Sequence, residues 1–147
     1  MTPIRDNADF RRGYEYLGIL TEALADFKHL FKTYHVAPLT GKYAKLAADL
    51  KAAAAQGVKV AKNTEDGGTC NMDAVSIDLP GWRQAKVEQA AKAAGVGCFV
   101  WNLWGSKRYV FPIRGVGQAN ARTAAAEAMR DNLIAAGYDV GMYYQMD

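Results

Sequence analysis

Val96-Gly97-Cys98-Phe99-Val100-Trp101-Asn102-Leu103-Trp104-Gly105-Ser106-Lys107-Arg108-Tyr109-Val110-Phe111-Pro112-Ile113 is the stretch that decides the fold. Residues 96–103 and 107–113 are rich in β-branched and aromatic side chains, which suit a pleated, half-buried surface. Gly105-Ser106 between them has its glycine first, as a type II′ hairpin turn requires. With that turn, Trp104 pairs with Lys107, Asn102 with Tyr109, Val100 with Phe111 and Cys98 with Ile113.

Outward from the hairpin, residues 73–79 alternate with period two and stop at Pro80-Gly81, a strand with Val75, Ile77 and Leu79 on its buried side. Residues 82–94 read as an alanine-rich helix closed by Gly95, and 118–136 as another closed by Gly137. Residues 138–146 form a last strand. The order strand, helix, strand, strand, helix, strand is that of an α+β, ferredoxin-like (split βαβ) antiparallel sheet with two helices on one face. Right-handed crossovers place the third strand antiparallel between the first and second.

Before this domain, Phe10, Tyr14, Leu17, Leu20, Leu24, Phe27 and Phe31 recur at spacings of three and four, so 7–34 read as an amphipathic helix. Residues 41–56 read as a second helix, with Tyr43, Leu46 and Leu50 on one side and Gly57 as its stop. The expected organisation is an N-terminal helical hairpin over 1–57, a linker and glycine-rich loop over 58–71, and the ferredoxin-like domain over 72–147, packed as one unit.

The chain has 147 residues, half of them apolar, enough for one domain that buries roughly 70 % of its unfolded surface. A net charge of +3, from 18 Lys and Arg against 15 Asp and Glu, excludes a polybasic protein, and the composition excludes disorder. No apolar stretch approaches the length of a membrane span, and Met1-Thr2-Pro3-Ile4-Arg5-Asp6 lacks a secretory core, so a cytoplasmic protein with no membrane partner is expected. Cys70 and Cys98 have no CxxC pairing and no nearby histidine, which supports neither zinc nor a redox dithiol. No cofactor motif is present.

The hairpin pairing leaves Phe99, Trp101, Leu103 and Val110 on one sheet face, the expected seat of the two helices. The other face would carry Asn102, Trp104, Tyr109 and Phe111 with Lys107, either as a platform or as a seat for the helical hairpin. Lys107-Arg108-Tyr109-Val110-Phe111, basic and then alternating aromatic, resembles the third-strand signature of the RNA-recognition motif. The resemblance covers about five residues. It implies single-stranded nucleic acid stacked on Tyr109 and Phe111. It departs from that motif in lacking the glycine-containing part and an aromatic in Ala74-Val75-Ser76-Ile77.

In the expected topology two glycine-bearing loops meet at one end of the sheet. One holds Asp66, Gly67, Gly68, Asn71 and Asp73; the other holds Arg114, Gly115 and Gly117 and leads into the last helix, with Arg122 one turn on. The start of a helix offers unpaired N–H groups and a partial positive charge. Glycines let an anion approach the backbone, and arginine supplies a fork of donors. The function expected is therefore non-enzymatic binding of an anionic, phosphate-bearing small ligand of the nucleotide kind. The competing reading of the same corner is internal: Glu65, Asp66 or Asp73 turns inward to pair with Arg114 and cap the helix. Alternative functions are a protein-interaction or inhibitor module, with a homodimer as one form, and single-stranded nucleic-acid binding. Neither His29 nor His35 has a motif partner, Cys70 would need a histidine to act as a nucleophile, and Asp66, Asn71 and Asp73 lack a calcium loop's distal glutamate.

Overall fold

The computed structural model describes residues 37–146, and the helix expected over 7–34 lies outside them. Leu39–Asp147 form one compact unit. Its elements are α1 (Gly41–Lys62), β1 (Ala74–Asp78), α2 (Gln84–Ala94), β2 (Phe99–Leu103), β3 (Ser106–Phe111), α3 (Asn120–Ala135) and β4 (Asp139–Tyr143). The four strands make an antiparallel sheet in the order β2-β3-β1-β4, so β1 and β3 are its centre. The protein is therefore α+β, with all three described helices contributing to one core.

α2 stops at its own glycine, and α3 ends just before Gly137, which takes φ 98. Gly95 takes φ 77, a left-handed conformation that costs a residue without Cβ nothing, and α2 ends there. Gly57 behaves differently: α1 runs through it to Lys62, so residues 58–62 are helix rather than linker. A Cβ at 57 would lie 2.7 Å from Ile113 Cδ1 and 2.9 Å from the Ala125 carbonyl oxygen. The glycine is there so that α1 can press its backbone onto α3, and packing overrides its low helix propensity. Through Leu46, Leu50 and Ala53, all fully buried, α1 belongs to the core of this unit.

The hairpin turn also moves by one residue. Leu103 pairs with Ser106, leaving Trp104 and Gly105 as the two-residue loop, with φ 51 and 81. Positive φ at both positions is the mark of a type I′ turn, whose twist matches that of the strands. Val100 therefore opposes Tyr109 rather than Phe111, and Asn102 opposes Lys107 rather than Tyr109.

A shift of this size leaves each side chain on its face, but the helices cover the face opposite to the one expected. Val75 pairs with Phe111 and Met142, and Ile77 with Tyr109 and Val140. That layer, with Val100 and Cys98, packs against Leu46, Leu50, Val87, Ala91 and Met129. Tyr109 and Phe111 are 1 % and 0 % exposed, so no platform or base-stacking surface is built on them. Of the other two residues assigned to it, Asn102 is exposed on the strand and Trp104 is 97 % exposed in the turn. The reason is summation over four strands: β1 and β4 add Val75, Ile77, Val140 and Met142 to the Tyr109 side. To the other side they add Ser76 and Gly141, where Arg108 bonds to the Ser76 hydroxyl at 3.1 Å.

A partly buried polar contact ties α1 to the segment after α3. The Tyr138 hydroxyl donates to Asp49 Oδ2 at 2.7 Å, and Lys45 Nζ, 2.6 Å from the same oxygen, also donates to the Ala136 carbonyl at 3.3 Å. Burial pushes the Asp49 carboxyl up, but the hydrogen bonds from Lys45 and Tyr138 outweigh it and leave it below its ordinary 3.8. Burial, and then the bond to Asp49, push the Tyr138 phenol above its ordinary 10.0. Asp49 stabilises the fold above pH 3.8 and loses that effect as pH falls through its depressed value. Tyr138 stabilises it below pH 10.0 and loses that effect as pH rises through its raised value. Tyr138→Phe is expected to lower stability by about 1 kcal/mol at neutral pH and, by removing one of the bonds that hold Asp49 down, to flatten the acid flank of the stability profile, as read by urea denaturation between pH 2 and 7.

Candidate functional site

The two glycine-bearing loops do meet, at the start of α3. The Asn120 amide donates to the Gly67 carbonyl at 3.0 Å, and Gly67 and Ala119 form a parallel bridge. Asn71 Nδ2 donates to Thr123 Oγ1 at 2.8 Å and to the Ala119 carbonyl at 3.3 Å. The Thr123 hydroxyl donates to Asp73 Oδ2 at 2.7 Å, while the other Asp73 oxygen accepts from the Gln145 amide at 3.2 Å. Asp73 is 5 % exposed and stands just before β1. It thus links the sheet end, α3 and the segment after β4, whose Gln145 carbonyl accepts from the Met72 amide at 2.7 Å.

Asp66 lies against Gly117. A Cβ built at 117 would collide with Asp66 Oδ1, so the glycine leaves room for a carboxylate. Asp66 itself is exposed. Gly68 takes φ 93 beside Asn120, and Ala119 takes φ 52 with ψ −116 without being glycine, a sparsely populated backbone that costs about 1–3 kcal/mol. That strained residue is held by the Gly67 bridge on one side and the Asn71 side chain on the other. Beside this corner opens a cleft of about 480 Å³ lined by Thr69, Asn71, Asp73, Tyr144, Gln145 and Met146. Asn71 Oδ1 is buried and has no hydrogen-bond partner.

The arginines are placed less tightly. Arg122 Nε, in the first turns of α3, is buried without a partner. Arg114 is exposed, makes no ion pair among the described residues, and lines a different cleft with Glu88, Lys92 and Cys98. Gly115, with φ 74, is open to solvent next to it. The corner therefore unites Asp66, Gly67, Gly68, Asn71, Asp73 and Gly117, with Arg114 and Gly115 outside its cleft. The inward turn of acidic residues does occur for Asp73, but its partners are Thr123 and Gln145, not Arg114.

Cys70 is exposed at this corner, and neither histidine falls among the described residues. Cys98 is half-buried, and burial, reinforced by Glu88, pushes its thiol up to about 11. It is therefore a poor nucleophile at neutral pH. Among the described residues no three His, Cys, Asp or Glu side chains gather as a metal site needs, and no helix is long and apolar enough to cross a membrane.

Two features carry no local sequence signal. One is the outer sheet face, where the Tyr143 ring meets Phe99 and Trp101 edge-on at 5.5 and 4.9 Å. The other is a cleft at the opposite end of the sheet, where the end of β1, the start of α2 and the β2–β3 turn converge. Both depend on strand order, which brings distant segments together.

The fold and site thus define an α+β domain with a four-stranded antiparallel sheet and a clasped loop corner at one end. No protein family matches this chain, and no curated protein or solved structure is significantly similar to it.

Proposed function

We propose that the chain is a non-enzymatic binding protein on a ferredoxin-like frame, whose ligand is a small phosphate-bearing anion of the nucleotide kind seated at the clasped corner. The observation that carries this is the Asp66 carboxylate lying in the space left by Gly117, beside the Gly67–Ala119 bridge that opens α3. An oxyanion already occupies the place the ligand would take, near the positive end of a helix. Because Asp66 is exposed, it can swing into water at little cost and yield the place to a phosphate. Arg114, in no ion pair among the described residues, and Arg122, whose buried Nε has no hydrogen-bond partner there, are the donors that then turn to the ligand.

A thermal-shift panel of nucleoside mono-, di- and triphosphates and inorganic phosphate tests this. At least one should raise the melting temperature in proportion to the logarithm of its concentration. Arg114→Ala is expected to weaken that ligand about tenfold, the loss of one charged hydrogen bond, and Asp66→Ala to strengthen it several-fold by removing the competing carboxylate. No stabilisation by any of them, or the same response in both variants, refutes the proposal.

A second reading, an interaction module that pairs with another copy of itself, draws on the edge-on cluster of Phe99, Trp101 and Tyr143, with Phe99 38 % exposed. Its sign is a sedimentation coefficient that rises with concentration and stops doing so in Phe99→Glu.

A further inference from the structure

We infer that the open edge of β2 is a self-pairing surface, along which two copies of the chain join their sheets antiparallel about Trp101. The inference rests on the second reading above, pairing with another copy, and names the strand and register that do it. β2 stands at one end of the strand order, so one side of its backbone has no strand beside it. Which groups face that side follows from the turn. Leu103 and Ser106 close the two-residue loop as a hydrogen-bonded pair, and such pairs alternate along an antiparallel ladder. Phe99, Trp101 and Leu103 therefore spend their backbone N–H and C=O groups on β3, while Val100 and Asn102 turn theirs to the open edge.

Exposed edges invite pairing, and proteins that must not pair guard them with lysine, proline or a bulge. β2 has none of these guards. The run from Gly95 to Ser106 carries no charged residue and no proline, and the pairing of β2 with β3 is unbroken from Phe99 to Leu103. The opposite edge differs: β4 begins on Asp139 and is interrupted by Gly141, a residue that weakens a strand. Self-pairing therefore favours β2.

A two-fold axis through Trp101 sets Val100 opposite Asn102 of the second copy, and the two residues exchange the hydrogen bonds that each has free. Trp101 then faces Trp101 of the second copy at a non-hydrogen-bonded position, where Cα atoms approach to about 4.5 Å. Tyr143 already meets Trp101 and Phe99 edge-on, at 4.9 and 5.5 Å, so the aromatic clusters of the two copies become one. The same register carries Trp104, 97 % exposed, to the position opposite Cys98 of the second copy, beside a strand instead of water. No like charges meet along this seam. The contact is the same patch on both copies and uses up the edge, so assembly stops at the dimer.

Sedimentation and amide hydrogen exchange of the full chain over a range of concentrations test this. Sedimentation should pass from monomer to dimer and no further. Over the same range the Val100 and Asn102 amides should slow at least tenfold, while those of Phe99 and Trp101, bonded to β3, are slow throughout. Asn102→Pro removes only an edge-facing N–H, so it should weaken dimerisation at least tenfold and leave the monomer folded. With Cys70 and Cys98 replaced by serine, Trp101→Cys should form an intermolecular disulfide on mild oxidation and Asn102→Cys should not. Only at position 101 do the paired Cα atoms come within the about 4.4–6.8 Å that a disulfide spans. A dimer that persists in Asn102→Pro, or whose Val100 and Asn102 amides exchange freely, overturns the edge pairing and leaves self-association through the sheet face standing. A monomer at every concentration overturns both. Growth beyond the dimer, equal cross-linking of the two cysteine variants, or unfolding of Asn102→Pro, which would mean that its N–H bonds within the chain, overturns the register.

Discussion

Phe111→Ala is expected to destabilise the protein by about 3–5 kcal/mol, the usual cost of emptying an aromatic site in a packed core. Phe111 is fully buried between β1 and the helices, opposite Val75. The cavity left behind would open inside the core cluster that Phe111 shares with Leu50, Val75 and Met129, which come from a helix, a strand and a second helix. Phe99→Ala, on the other face and 38 % exposed, should cost well under half as much. Urea denaturation of the two variants decides which face of the sheet the helices cover. Equal losses, or a larger loss for Phe99, would contradict the described packing.

The second large effect falls on Gly57. In an ordinary exposed helix, glycine to alanine stabilises by about 1 kcal/mol. Here the added methyl would sit 2.9 Å from a backbone oxygen of α3 and 2.7 Å from the Ile113 side chain. The isoleucine can turn aside, whereas the Ala125 carbonyl moves only with its helix. Overpacking of this kind costs about 1–3 kcal/mol, so Gly57→Ala should be a net loss despite its better helix propensity, and Gly57→Leu should prise α1 from α3 and approach complete unfolding. Chemical denaturation and far-ultraviolet circular dichroism of both variants provide the check. Stabilisation by alanine would mean that α1 is not pressed onto α3. Gly117 makes a useful contrast. Its close neighbour is the tip of an exposed aspartate, which can step away, so Gly117→Ala should cost little stability while altering the corner site.

These two positions also show why some of the fold is legible in the chain and some is not. The order of strands and helices could be read because period-two alternation in 73–79, the apolar runs flanking Gly105, and the glycines at 95 and 137 are local signals with local causes. So was the meeting of the two loops: once β3 lies antiparallel to β1, the start of β1 and the end of β3 must share an end of the sheet. The functions of individual residues were less visible. Gly57 has the chemistry of a helix stop and is used as a contact. Tyr109 and Phe111 have the pattern of an open aromatic strand and are core. The turn could be drawn at Gly105-Ser106 or at Trp104-Gly105, and only strand twist favours the second.

By itself the sequence determined what is periodic and short-range: which segments are extended, which are helical, and that an α+β domain results. Tertiary structure alone decided which face of the sheet is covered, because that depends on the summed apolar area of four strands and on the backbone gap that Gly57 opens for α1. The placement of charge followed the same rule. Asp66 came to rest on Gly117 through strand pairing between segments far apart in the chain, and no local pattern encodes such a meeting.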